Sequence, residues 1–210
     1  MKNKHDVRID RDKLHPWLDY KLGLLLKECA KKGIYLIITE GFRTVKYQDE
    51  LYAKGRTKPG RIVTSARGNS YSSQHQWGIA FDIAINDSKR LYDLATIKKV
   101  AKIAKSKKVG LGWGGDWKTF VDTPHFYLLK WGSTTTNLKN TYGTPDRFKK
   151  TWVKRVTKAP YLVLWGNKKK TKRLTNIPKG DKVNVFFEKL WFAKVRYHGV
   201  VGYVKKKYIK

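Results

Sequence analysis

The stretch Ser73-Gln74-His75-Gln76-Trp77-Gly78-Ile79-Ala80-Phe81-Asp82 sets an imidazole and a carboxylate seven residues apart, with a glycine between them. From Ile79 to Ile85 the residues alternate. Ile79, Phe81, Ile83 and Ile85 share one face and Ala80, Asp82 and Ala84 the other, which predicts a strand over 79–85. Two small neighbours leave a pocket around Asp82, and a carboxylate in such a pocket is costly unless a cation or donors compensate it. A turn at Gly78 would bring His75 to it. His125 follows Pro124 at the start of another expected strand, 124–129, with Asp122 three residues ahead. Two His and one Asp form a three-ligand set for a catalytic Zn²⁺, with a coordination position left for water. Such a metal lowers the water's pKa to ~7, and a nearby carboxylate could take the proton. Spacing alone leaves a structural His–Asp hydrogen bond as the alternative.

Other chemistry finds little support. Cys29 falls in the apolar stripe of an expected helix and reads as a core thiol rather than a nucleophile. No G-x-S-x-G elbow and no G-x-x-x-x-G-K-[ST] phosphate loop occurs. His5, His15 and His198 are expected at the surface.

The elements that must position these residues follow from the hydrophobic periods. Residues 16–32 read as a helix, with Pro16 in the first turn, Leu18, Leu22, Leu25, Leu26 and Cys29 on one side, and Gly33 as the stop. A short strand over 34–39 follows. Gly41-Phe42-Arg43-Thr44 then turns into a second helix, 45–54, and residues 58–73 read as a loop. A third helix, 91–107, turns Leu94, Ile97, Val100, Ala101 and Ala104 inward. Gly112 to Asp116 is a Gly/Trp turn. This alternation predicts an α+β domain over residues 1–132. Residues 133–152 lack an apolar period and read as a linker. Short strands at 161–165, 182–187, 192–197 and 202–205 predict a small all-β module over 153–210.

With 210 residues the chain has room for one ordinary domain and a small second one. Hydrophobic residues make up 40% and aromatics 13%, enough for packed cores and too much for a basic disordered chain. A single Cys excludes an internal disulfide framework and a Cys-rich zinc module. Residues 1–17 are mostly polar or charged with no apolar core behind them. The expectation is therefore a protein made in the cytoplasm without a signal peptide, with no membrane insertion. Lys and Arg total 47 against 16 acids, a formal +31 that attracts polyanions: nucleic acid, anionic lipid or wall polymers. Residues 153–210 hold 17 of these cations against 2 acids and are the denser patch.

The ordered motifs Gly41-Phe42-Arg43-Thr44, Leu51-Tyr52-Ala53-Lys54-Gly55-Arg56-Thr57, Ser73-x-His75-x-x-Gly78-x-Ala80-x-Asp82, Gly112-x-Gly114-Gly115-Asp116-Trp117 and Asp122-x-Pro124-His125-Phe126 carry a resemblance. Over about residues 14–130 the chain resembles the zinc D,D-carboxypeptidase and L-alanyl-D-glutamate endopeptidase family of peptidoglycan enzymes, most of all its phage endolysin branch. The resemblance implies His75, Asp82 and His125 as zinc ligands and Asp122 as the base that activates water. It implies Arg43 as the cation near the scissile carbonyl, and Ser73 and Gln48 along the substrate cleft. Other branches carry Glu where Asp122 stands, and Asp116 is the substitute base to consider. Over about 155–210 the chain looks like a bacterial SH3-type wall-targeting domain, with Pro178-Lys179-Gly180-Asp181 as a turn and Trp191, Tyr197, Tyr203 and Tyr208 as core or groove residues. Leu162-Val163-Leu164-Trp165-Gly166 replaces the usual polar opening, which shifts binding toward charge.

The implied whole is an α+β zinc peptidase followed by an SH3-like barrel: an endolysin-like peptidoglycan hydrolase that cuts the L-alanyl-D-glutamate amide. Its expected partners are peptidoglycan and anionic wall polymers rather than specific nucleic acid, and its place of action is the cell wall. Two alternatives stand beside it, a D-alanyl-D-alanine carboxypeptidase and a non-catalytic basic binder of wall polymer or nucleic acid.

Overall fold

Proline suits the first turn of a helix, where its missing N–H costs nothing, and Pro16 opens α1 (Pro16–Ala30). His15 caps it, with Nδ1 accepting from the Trp17 backbone N–H at 3.1 Å. Sequence placed His15 at the surface, but the cap lies under Trp131, and only 3% of the residue is exposed. Burial, with Lys130 nearby, pushes its pKa down to about 3 and keeps the ring neutral, able to accept. Leu18, Leu22, Leu25 and Cys29 of α1 are fully buried, each leucine contributing about 1.5–3 kcal/mol. The Cys29 thiol, pushed up to about 12 by that burial, is inert. These residues pack with α3 (Leu94–Lys105), which Asp93 caps through Thr96 N–H at 2.8 Å. Ile97, Val100, Ala101 and Ala104 turn inward as expected, whereas Leu94, at the first position of the helix, is 46% exposed.

The computed structural model describes residues 4–158 and 160–210, and the chain divides between Pro145 and Asp146 into two units. In the first, a mixed sheet runs in the order β1-β2-β3-β5-β4, with β1 (Asp6–Val7), β2 (Leu36–Glu40), β3 (Ala80–Ile85), β4 (Gly112–Trp113) and β5 (His125–Tyr127). Among these five described strands only β1 and β2 pair in parallel. Helix α2 (Val45–Ala53) is capped by Thr44, whose hydroxyl accepts from Tyr47 N–H. Both faces of β3 are buried except at Asp82, so the small residues beside it face protein rather than water. The segment expected as a linker holds two short helices, α4 (Thr136–Tyr142) and α5 (Pro145–Lys149), and buries Leu138 and Phe148.

The second unit is all antiparallel. Its sheet runs β6-β9-β10-β11-β7-β8, built from β6 (Val153–Arg155), β7 (Tyr161–Trp165), β8 (Arg173–Pro178), β9 (Lys182–Glu188), β10 (Phe192–Tyr197) and β11 (Val200–Lys205). The module expected as a small all-β SH3-like barrel is all-β as expected, and among the described residues no ladder joins β6 to β8 to close the six-stranded sheet. Its core is aliphatic, with Leu164, Ile177, Val183, Val185, Val195 and Val204 buried. Trp191 lies outside it, 79% exposed. No helix among the described residues is long and apolar enough to cross a membrane.

Candidate metal centre

Strand register builds the first half of the site. β3 and β5 pair Asp82 directly opposite His125, and cross-strand partners present their side chains to the same face. His125 Nδ1 lies 3.0 Å from Asp82 Oδ1. The second imidazole comes from the 3-10 turn Gln74–Trp77. That turn ends at Gly78 with φ +64°, a left-handed conformation that favours glycine and returns the chain into β3. His75 Nε2 thereby reaches within 3.3 Å of the same carboxylate oxygen. One ligand atom from each of His75, Asp82 and His125 falls within 4.8 Å of the others.

Both rings are oriented from behind. His75 Nδ1 meets the Gly41 carbonyl at 2.7 Å, and His125 Nε2 meets Gln74 Oε1 at 2.8 Å. A carbonyl oxygen only accepts, so the ring hydrogens point outward and the lone pairs of His75 Nε2 and His125 Nδ1 turn toward Asp82. Two lone pairs and a carboxylate facing one another are repulsive unless a cation sits among them. This donor set therefore fits a divalent metal, with two imidazole nitrogens and one carboxylate oxygen. Burial lowers the His125 pKa against the pull of Asp82, which keeps the ring a neutral ligand. Burial raises the Asp82 carboxyl, but the two histidines beside it outweigh that and hold it well below the usual carboxylate range, so it stays ionised.

Two more groups face the same cleft. Arg43 is largely buried, with Nη2 3.4 Å from Asp82 Oδ2 and Nε 3.2 Å from Glu40 Oε2, and its backbone N–H donates to the His75 carbonyl. Asp122 is set by the turn before β5: its N–H donates to Gly114 O, and its carbonyl accepts from His125 N–H. Gly114 permits that approach, since a Cβ there would stand 2.5 Å from the Asp122 carbonyl oxygen. Burial, then the neighbouring Asp82 charge, raises the Asp122 carboxyl, which makes it a better proton acceptor.

The cleft encloses about 760 Å³, and Arg43, Ser73, His75, Asp82, Asp122 and His125 all line it. Gln48, expected along it, lies beneath its wall instead. It is fully buried and donates to Thr64 Oγ1 and Ala66 O, bracing the 64–66 segment. Asp116, the substitute base, is exposed and paired with Lys105 at 2.9 Å. Sequence reasoning missed Gln74, the Gly41 carbonyl and Trp117, whose ring stands 5.0 Å from His125. Only the adjacency of Gln74 to His75 in a tight turn hinted at the first.

Comparison with known proteins finds relatives of this chain. A family profile described as D-alanyl-D-alanine carboxypeptidase matches residues 66–128. The peptidoglycan L-alanyl-D-glutamate endopeptidase CwlK of Bacillus subtilis (strain 168) is 42% identical over 135 residues, covering 59% of this chain and 78% of CwlK. The L-alanyl-D-glutamate peptidase of Listeria phage A118 is 32% identical over 105 residues, 48% of this chain and 33% of the phage protein. The crystal structure of Serratia marcescens L-Ala D-Glu endopeptidase ChiX aligns with a TM-score of 0.42 and 24% identity, over 56% of this chain and 82% of that one.

Proposed function

The chain belongs to the M15 family of metallopeptidases, and from that premise we propose that it is an endolysin-like peptidoglycan hydrolase cutting the stem-peptide amide between L-alanine and D-glutamate. The observation that carries the proposal is the convergence of three lone-pair donors, beside a carboxylate and a guanidinium, in one cleft. The 42% identity to a peptidoglycan L-alanyl-D-glutamate endopeptidase supports the choice of bond.

In this reading His75 Nε2, Asp82 Oδ1 and His125 Nδ1 hold the metal, and Gly41 and Gln74 fix the tautomer of each ring. Zn²⁺ suits the set, because amide hydrolysis calls for no change of oxidation state and two His with one carboxylate leave an open position. When bound, the ion supplies Lewis acidity, which acidifies water and polarises the scissile carbonyl. Asp122 accepts the proton from the attacking water and returns it to the departing amine nitrogen. Arg43 directs its N–H donors at the carbonyl oxygen as that atom gains negative charge. Ser73 lines the substrate path, and Gln48 acts on it only through the wall segment it braces. The second unit serves as an SH3-type wall-targeting module, its cations drawn to anionic wall polymers, so that the enzyme works at the cell wall.

The family profile's description keeps a second reading in view, a D-alanyl-D-alanine carboxypeptidase. It differs in product: free D-alanine rather than a new amino end at D-glutamate. The test of the metal centre is elemental analysis beside hydrolysis for His75→Ala and His125→Ala. Each variant is expected to lose bound metal and turnover while still binding whole walls. A variant that keeps both metal and turnover would remove that residue from the ligand set.

A further inference from the structure

The turn between β9 and β10 leaves Leu190 and Trp191 78% and 79% exposed. A large aromatic in a small sheet normally packs the core, but this core is aliphatic and Trp191 takes no part in it. Its backbone is nevertheless pinned on both sides. Lys189 N–H donates to Phe192 O at 2.8 Å and Lys206 N–H to Trp191 O at 3.1 Å. The indole stands at a groove of about 720 Å³ that Trp165, Phe192 and Tyr203 also line. The Phe192 and Tyr203 rings meet edge to face at 5.7 Å. Lys168 Nζ stands 4.9 Å from the centre of the first and 6.0 Å from that of the second.

The charge of the groove is one-sided. Seven lysines line it, including the run Lys205-Lys206-Lys207, and neither an acid nor an arginine does. Nearby acids are engaged elsewhere: Asp181 accepts from the Tyr197 hydroxyl at 2.6 Å, and Glu188 pairs with Lys154 at 2.7 Å. Aromatic faces carry negative potential and attract the polarised C–H groups of a sugar ring. Lysines meet singly charged phosphodiesters as point charges in any orientation, whereas arginine's fork suits planar, two-point recognition of a carboxylate or a terminal phosphate. A polymer that alternates sugars with phosphodiesters satisfies both halves of the groove.

We propose that this groove binds a glycosylated phosphodiester polymer of the bacterial wall, a sugar stacking on Trp191 and neighbouring phosphates meeting Lys168 and the 205–207 run. The proposal rests on the wall-hydrolase reading for where such a polymer is met.

The test uses the full chain with chelator present, so that no bond is cut. Binding is measured to a purified glycosylated poly(glycerol phosphate) and to wall sacculi before and after hydrofluoric acid strips their phosphodiester polymers. Intact sacculi and the free polymer are expected to bind, and stripped sacculi to bind poorly. Trp191→Ala should weaken binding roughly tenfold or more with an unchanged melting curve, as for an aromatic anchor. Lys205→Ala with Lys207→Ala should flatten the salt dependence, since fewer counterions are released. Removing two charges at Lys98 and Lys99, outside the groove, should do little. Equal retention on stripped sacculi, or full affinity in Trp191→Ala, would overturn the assignment. Tighter binding to a single-stranded oligonucleotide of equal charge would overturn it too, giving the groove to nucleic acid. Hydrolysis of a soluble stem peptide, followed in parallel with metal restored, keeps the two readings apart: intact cutting with no polymer preference sinks the groove alone.

Discussion

Gln74 touches no metal, yet the site depends on it. Its Oε1 sits 2.8 Å from His125 Nε2, with both residues about 95% buried, so no water is at hand to replace it. In Gln74→Ala the ring hydrogen loses its acceptor. The imidazole then gains by placing its hydrogen on Nδ1, where Asp82 Oδ1 waits 3.0 Å away. That hydrogen occupies the lone pair a metal needs, so binding must first move it back to Nε2, where it no longer has an acceptor. An unsatisfied buried donor costs about 1–3 kcal/mol, and losing a ligand's outer partner typically lowers metal affinity or activity about 10–100-fold. The two figures agree, since tenfold corresponds to about 1.4 kcal/mol. The expected outcome is thus a 10–100-fold weaker metal affinity, measured by competition with a chelator of known strength, with a deficit that holds steady across the pH range where the imidazole is neutral. Gln74→Glu keeps an acceptor oxygen and should retain most of the affinity. If Gln74→Ala matched the parent at every pH while folding normally, the tautomer argument would be refuted.

Asp122→Asn should keep bound metal and lose roughly 10²–10⁴-fold in turnover, the usual contribution of a general base; elemental analysis beside the rate on a soluble stem peptide decides it, and retained turnover would return attention to Asp116. Gly114→Ala should cost about 1–3 kcal/mol in urea unfolding and also slow turnover, because its Cβ would press on the Asp122 carbonyl that shapes the turn; an unaltered midpoint would count against that packing. His15 titrates near 3 when folded against 6.5 in the open chain, so the unfolded state takes up its proton first as pH falls. The stabilisation is complete above 6.5 and drains away as pH drops toward 3, amounting to about 2 kcal/mol by pH 5. Urea midpoints at pH 7 and pH 5 should therefore separate in the parent and converge in His15→Asn, and equal pH dependence in both would refute this.

The parts of the site that follow a short period were legible in the sequence. Alternation placed Asp82 off the Ile/Phe face, and Gly78 marked the turn that returns His75 to it. The partners behind the rings were not legible, since Gln74 and the Gly41 carbonyl act through distances that no spacing encodes. Gln48 offered a signal that outweighed motif position: it lies three residues before Leu51, on the same buried face of α2. Helices of seven and five residues are too short to display a period, so the stretch with Leu138 and Phe148 read as linker. In the second unit β8 escaped notice because Arg173–Pro178 is a largely polar edge strand that ends in proline. Barrel closure is a property of pairing between distant strands, which short apolar runs do not specify.

The most direct test of the central claim is mass spectrometry of purified peptidoglycan digested by the chain, with chelator and then with Zn²⁺ restored. New amino ends at D-glutamate are expected, abolished by chelator and recovered with the metal. Cleavage that persists in chelator, or release of free D-alanine in place of those ends, would contradict that claim.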